Sequence, residues 1–300
     1  MRALGLRGLN EVFMIGDDEV DIKAAYNAGV VSVLDRGTWP KDFDSKHWSA
    51  KELIPDVVID GPEEFSSVLE SYAEYLPCLE SAIEGVDIST RRNRFERNGY
   101  FIPKELGGDK RPTQVNSLGR HFSDYECLAN RRRWHELTEQ IHSNKESEVF
   151  PDSWVESIVD FIDTDYHLFP TFQKVLLTVI PARPGRVPRL AKLLEQIGEF
   201  VAGTKFENGL IFAPDLLAYK AGVVSNSREH LSRVQRFANI RDHLYVANPK
   251  VLTARSNVLV LDDVVTSGST LIYAKKYIEQ VVNCDVKCLA VAKNIGKIIG

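Results

Sequence analysis

Four apolar residues, Val258–Leu261, run without interruption into two adjacent carboxylates, Asp262 and Asp263. Alternating polarity would mark a strand with one wet face. An unbroken apolar run bounded by turn formers marks a strand covered on both faces, as in a parallel sheet flanked by helices. The same grammar recurs along the chain. VFMI, Val12–Ile15, precedes GDD, a helical stretch EVDIKAAYNAG closed by Gly29, and then VVSVL, which is a βαβ reading. DVVID, Asp56–Asp60, leads into Pro62 as a helix start and the amphipathic EEFSSVLESYAEYL. Further on, KVLLTVIP, GLIFAPDLL, NVLVLDD and DVKCLAVA read as strands, and PDSWVESIVDFI, VPRLAKLLEQIGEFV and TLIYAKKYIEQVV as helices. The expected fold is α/β with two parallel-sheet units. Residues 1–75 form the first, 76–150 a linker or accessory, hood-like region with a helix over Tyr125–Ile141, and 151–300 the second.

Three hundred residues suffice for two domains, and a 44% apolar, 26% charged composition is that of an ordinary globular protein. The net charge of −5 argues against holding nucleic acid by bulk electrostatics. The four cysteines form no CxxC pair, and Cys284 and Cys288 have no third or fourth zinc ligand near them in sequence, so a reduced setting is expected. No signal peptide precedes the first strand and no apolar run reaches the ~18–20 residues of a membrane span, so the expected protein is cytoplasmic and does not engage a membrane.

In an open parallel sheet, ligands bind beyond the carboxyl ends of strands, where loops meet helix N-termini. Asp262 and Asp263 stand at such an end. The following Thr266, Ser267, Gly268, Ser269 and Thr270 enter a helix, so their amides and hydroxyls form a cradle for a phosphate, with Gly268 allowing close approach. Two carboxylates just upstream suit the hydroxyls of a sugar or a magnesium ion. A sugar phosphate satisfies both halves, although either half alone would read equally as an Asp-rich turn with a Ser/Thr N-cap.

The thirteen-residue string VLVLDDVVTSGST resembles the phosphoribosyl pyrophosphate (PRPP) motif of type I phosphoribosyltransferases. The resemblance implies that Asp262 and Asp263 meet the ribose hydroxyls and Thr266–Thr270 the 5′-phosphate. TVIPARPGR, Thr178–Arg186, sits where that family has its pyrophosphate loop, which implies roles for Ala182, Arg183, Gly185 and Arg186; Pro184–Gly185 would also read as an ordinary turn. SREHLSRVQRFANIRDHLYV, Ser227–Val246, resembles the flexible-loop region of the ComF branch, with Arg233, Arg236 and Asn239 as its candidates; three polar residues at that spacing also share one face of a solvated helix. The four-cysteine zinc segment that usually begins that branch is absent.

MIGDDEVDIKAAYNAG, Met14–Gly29, resembles the fourth motif of haloacid dehalogenase (HAD) phosphatases, which implies that Asp17, Asp18 and Asp21 hold magnesium. Only thirteen residues precede Met14, too few to supply the nucleophilic Asp, the Thr or Ser and the Lys such enzymes need. Residues 1–75 therefore read as a truncated HAD-like segment: a relic, a dimerisation surface, or half a site completed by another chain. Phosphatase activity is not expected of this chain alone, whereas a homo-oligomer or partner chain is, to cover an open strand edge.

Between Arg91 and Arg133 lie nine arginines interleaved with Phe95, Tyr100, Phe122 and Tyr125, and Trp134 follows. Such mixing serves single-stranded nucleic-acid binders, but a solvated helix face with core aromatics looks the same; a nucleobase-capping role for Trp134 is the other functional reading. The expected function is transfer of ribosyl 5-phosphate from PRPP, with Mg2+, to a nitrogen acceptor (a nucleobase, nucleotide or macromolecule), releasing pyrophosphate; nucleic acid is not the favoured partner. Asp262, Asp263 and Arg183 carry that chemistry. The alternative is a PRPP- or nucleotide-sensing regulator without turnover.

Overall fold

The apolar runs become strands in the structure, a computed structural model that describes residues 8–39, 53–87, 89–101, 113–166, 174–225, 229 and 231–297. The fold is α/β with parallel-containing sheets. The chain divides into two units, one built from Met1–Asn98, Leu118–Ser143 and Ala292–Gly300, the other from Gly99–Ser117 and Asn144–Val291. Neither is a continuous stretch of sequence. Leu118–Ser143, read above as accessory, belongs to the first unit. Among the described residues, no helix is long and apolar enough to cross a membrane.

In the first unit, β1 (Phe13–Gly16), β2 (Val31–Asp35) and β3 (Val57–Ile59) form a three-stranded parallel sheet. Between β1 and β2 runs α1 (Glu19–Ala28), capped by Asp18 and closed by Gly29 at φ +76°. A Cβ at Gly29 would also strike Asn130, so glycine answers both the turn and the packing. The helix expected after Pro62 is a short 3-10 turn followed by α2 (Phe65–Ser71), and α3 (Cys78–Ile83) comes next.

The single helix expected over Tyr125–Ile141 is broken in two. A 3-10 turn at Glu126–Leu128 and α4 (Ala129–Arg132) are separated from α5 (Glu136–Ser143) by Arg133–His135. The cause is local. His135 Nδ1 accepts the Thr138 amide at 3.2 Å, so the imidazole serves as an N-cap and starts a new helix.

Within this unit lies a buried charge cluster. Arg120, Arg131 and Asp56 are fully buried, and Glu80 and His135 nearly so. Asp56 accepts from Ser32 N and Ser32 Oγ, both at 2.7 Å, from Arg120 Nη2 at 2.6 Å, and from Arg131 Nη2. Arg120 also donates to both Glu80 oxygens and, at 3.1 Å, to the Ile54 carbonyl; Arg131 donates to the Val30 carbonyl at 2.9 Å. Two guanidinium groups thus face two carboxylates. Burial alone would push the Glu80 carboxyl up, but the charge and hydrogen bonds of Arg120 hold it far below the usual range. The Phe122 ring stands edge-on to both Tyr26 and His135, closing the cluster on its apolar side.

The six-stranded sheet has the order β4-β5-β11-β10-β6-β7, of which β6, β7 and β10 lie wholly in the other unit. Its strands are β4 (Glu96–Phe101), β5 (Thr113–Phe122), β6 (Val175–Val179), β7 (Leu210–Phe212), β10 (Asn257–Val265) and β11 (Asp285–Ile295). β10 runs parallel to β6, and β6 to β7, with Leu261 opposite Val179. An antiparallel ribbon joins β8 (Leu217–Tyr219) to β9 (Leu244–Val246). The helices are α6 (Asp152–Asp165), α7 (Arg189–Val201), α8 (Arg233–His243) and α9 (Ser269–Val281). Leu271, Ala274 and Ile278 of α9 pack with Val258 and Val260 of β10 and with Phe237 and Ile240 of α8 in one buried core.

Removing one partner of a buried ion pair strands the other, so Glu80→Gln should cost about 3–5 kcal/mol of stability by urea unfolding at pH 7. A second expectation concerns acid. Burial lowers His135 to about 4, and the unfolded chain takes up that proton near 6.5. The stability it contributes is therefore complete above ~6.5 and is lost progressively as pH falls toward ~4. His135→Gln should flatten the stability profile across that window, measured by urea midpoints at pH 7 and pH 5.

Candidate functional site

The parallel pairing of β10 with β6 ends at Leu261, so Asp262 and Asp263 are the first residues beyond it, although β10 itself continues to Val265. This is the strand end at which α/β sheets present ligands. Both carboxylates are half-buried. Asp262 Oδ1 accepts the Asp263 amide at 3.0 Å, and Asp263 Oδ1 accepts the Val264 amide at 2.7 Å. Asp263 Oδ2 is bound by Arg189. Burial, and then the adjacent Asp263 charge, raise the Asp262 carboxyl well above its ordinary value.

Past β10 the chain reaches Gly268, which takes φ +73° as the N-cap of α9 and has no side chain to cap it. Among the described residues, only the Ser269 amide of the first amides is met by a side chain, Ser267 Oγ, at a long 3.5 Å. The hydroxyls of the loop are partly occupied. Ser267 Oγ lies 3.2 Å from Ser269 Oγ, Ser269 is buried, and Thr270 shares a hydrogen bond with Tyr219. Thr266 is exposed. What this loop offers an anion is therefore chiefly the uncapped positive end of α9.

The loop after β6 approaches the same place. Arg183–Arg186 form a turn closed by the Arg186 amide on the Arg183 carbonyl at 3.0 Å, with Gly185 at φ +77°, as a type II turn with Pro at its second position requires. Ala182 and Arg183 are half-buried, while Gly185 and Arg186 are exposed. Arg183 acts on the Tyr219 phenol: burial first, then the Asp262 charge, push that phenol up, and Arg183 and Thr270 pull it back. Tyr219 thus stands where the acidic strand end, the α9 loop and the β6 loop meet.

Sequence reasoning missed Tyr219 and Arg189. Tyr219 carried no signal. Arg189 did, since it is the first residue of α7, where the helix dipole disfavours a cation. Its pairing with Asp263 explains that placement.

The flexible-loop candidates divide. Arg233 is exposed; Arg236 Nε donates to the Leu231 carbonyl at 2.8 Å. Asn239 is buried and grips both backbone groups of Val224, at 3.2 and 3.0 Å, so it fixes a chain path rather than facing a ligand. Residues 226–228 and 230 of that stretch lie outside the described residues.

In the first unit, the acids of the HAD-like motif are spent on the chain itself. Asp21 Oδ2 accepts the amides of Asp17 and Asp18 at 3.2 and 3.3 Å, Asp18 accepts the Glu19 amide at 2.6 Å, and Asp17 accepts from Thr38 Oγ1 at 2.9 Å. A Cβ at Gly16 would fall on the Asp21 carboxylate, so glycine there serves this back-folded arrangement. Among the described residues, no three His, Cys, Asp or Glu side chains are placed to hold a metal ion. Asp262 and Asp263 are two adjacent carboxylates, of a kind that with a ligand's phosphates would hold magnesium, and one of them is bound by Arg189.

The arginine-rich segment is turned inward only in part, with Arg92, Arg97 and Arg133 exposed. Arg120 and Arg131 lie in the charge cluster, Arg92 pairs with Glu64 at 2.9 Å, Arg132 with Asp124, and Arg94 holds the carbonyls of Pro55, Asp56 and Tyr75. Trp134 Nε1 donates to the Gly29 carbonyl at 2.8 Å under Arg131, 3.9 Å from its ring centroid. Packing accounts for both. Arg111 lies outside the described residues.

No protein-family model matches the chain, and no curated protein matches it.

Because burial and Asp263 disfavour the charged form of Asp262, Asp262→Asn should raise the melting temperature at pH 7 by about 2–4 °C while keeping the bond to the Asp263 amide. A raised carboxyl pKa destabilises the fold where the group is ionised, so the gap from wild type should close as pH falls and Asp262 takes up its proton. Paired thermal scans at pH 7 and pH 4.5 check this.

Proposed function

We propose that the second unit binds PRPP and transfers its ribosyl 5-phosphate to a nitrogen nucleophile, releasing pyrophosphate. The observation that carries this reading is the meeting of two segments that are distant in sequence. Arg189, at the far end of the loop after β6, binds Asp263, while Asp262 and Arg183 both act on Tyr219. A ligand lying there has the uncapped end of α9 for a terminal phosphate, carboxylates for hydroxyls, and guanidinium groups for a second anionic centre.

In the reaction, Asp262 and Asp263 would orient the ribose through its hydroxyls and place negative charge where positive charge develops at the anomeric carbon. Arg183 would hold the departing pyrophosphate oxygens. Magnesium, held by Asp262 and Asp263 with the substrate's phosphates, would supply further charge neutralisation at that leaving group. Tyr219, its phenol kept protonated, serves as a hydrogen-bonding wall between Thr270 and Asp262 rather than as a base.

A second reading, ligand sensing without turnover, is favoured by the arrangement of the flexible-loop candidates. Asn239 is locked to Val224 and Arg236 to Leu231, so neither reaches toward the acidic strand end.

The test is calorimetry of PRPP with magnesium into wild type and the Asp262→Asn/Asp263→Asn double variant, with pyrophosphate release followed on the same samples. Wild-type binding weakened at least about tenfold in the variant is expected. Release of pyrophosphate identifies a transferase, binding without release in the presence of candidate acceptors identifies a sensor, and no binding by wild type overturns both.

A further inference from the structure

Two guanidinium groups bracket the loop after β6, and each carries a solvent-shielded N–H that meets no acceptor among the described residues: Nε of Arg183 and Nη1 of Arg189. Folded proteins match the great majority of such donors, because a buried donor without an acceptor has lost water and gained nothing. These two share one loop whose turn is already closed by its own backbone bond, between the Arg186 amide and the Arg183 carbonyl. Folding of the loop does not call for either side chain.

Arg189 is held where it is from two sides. Its Nη2 binds Asp263 Oδ2, and its Cζ lies 5.4 Å from the centroid of the Phe150 ring. The helix it begins would be better served there by an acid or a small polar residue. A planar fork held by one edge on a carboxylate keeps its remaining N–H groups aimed in a fixed direction.

We propose that Arg189 is an anion-binding residue of this site, taking pyrophosphate oxygens together with Arg183, and that Asp263 holds its guanidinium in place until the ligand arrives. The proposal rests on the sugar-phosphate reading above and deepens it, since it assigns the second anionic centre to a residue outside both sequence motifs. Asp263 then has two duties. It orients Arg189, and it competes with the incoming anion for the same cation.

That competition makes the proposal testable in the full-length chain with two probes, inorganic pyrophosphate and ribose 5-phosphate, titrated calorimetrically in EDTA so that no metal bridges them. Arg189→Met should weaken pyrophosphate about tenfold while changing ribose 5-phosphate by less than about twofold. Arg189→Lys, which keeps the charge without the fork, should recover part of the loss and guards against a folding defect in the methionine variant. Lys174→Gln, at an exposed position just before β6 and away from the acidic strand end, should alter neither probe. Asp263→Asn should tighten pyrophosphate, because the competitor is gone. If Arg189→Met weakens both probes equally, or leaves pyrophosphate unchanged, or if Asp263→Asn weakens pyrophosphate, Arg189 only positions Asp263 and the proposal is overturned. If wild type binds ribose 5-phosphate but not pyrophosphate, the proposal fails while the sugar-phosphate site stands. If wild type binds neither, the site reading itself fails and takes the proposal with it.

Discussion

Asp56 is the point on which the first unit is organised. Its carboxylate is out of water and accepts from a backbone amide, a serine hydroxyl and two arginines, and one of those arginines carries Glu80 as a second anion. The desolvation cost of four buried charges is met only if every partner is present and aligned, so the cluster acts more as a registration device than as a source of net stability. It fixes β2 through Ser32, the entry to β3 through Asp56, α3 through Glu80, β5 through Arg120 and α4 through Arg131. Few apolar contacts could specify five elements with so little ambiguity, because apolar surfaces slide and a forked guanidinium does not.

The second unit uses charge in the opposite way. Asp262 and Asp263 are adjacent and repel, Tyr219 is held beside them, and Arg183 and Arg189 each keep a shielded donor without an acceptor among the described residues. None of this is needed by the core around Val258, Val260, Leu271 and Ile278, which is apolar and closed on its own. In the first unit's cluster each carboxylate is met by guanidinium groups of the chain, although Arg131 Nε there also meets no acceptor among the described residues. The second unit instead sets two carboxylates side by side, and binding needs groups whose best partner arrives from outside.

How much of this was legible in the sequence follows from where each signal resides. The parallel strands were plain because burial on both faces leaves a local trace, as in Val258–Leu261. The α1 cap and its Gly29 stop were equally local. β5 was not legible, because TQVNSLGRHF places Asn116, Ser117 and Arg120 at buried positions, and a polar residue reads as exposed unless its partner is known. Those partners are far away in sequence: Asn116 Nδ2 donates to the Cys288 carbonyl, and Arg120 to Glu80 and Asp56. The same cause hid the inward-facing members of the arginine-rich stretch, Arg120 and Arg131. Within the site, the acids and the glycine loop were found from the motif, whereas Tyr219 and Arg189 depend on a fold that returns the β8 ribbon and the start of α7 to the end of β10.

Neither unit is a continuous piece of chain, and this bears on the order in which the protein can be made. Ile295 packs in one cluster with Ile22, Tyr26 and Phe122, and its carbonyl accepts the Ser123 amide at 3.0 Å. Ile22 and Tyr26 thus find a final neighbour that is made long after they are. A nascent first unit would hold Asp56 without its first arginine until residue 120 had emerged and without its second until residue 131, and would lack Ile295 until β11 had been made. Such an arrangement gains little from vectorial folding and leaves strand edges unpaired for longer, which favours late collapse over assembly piece by piece.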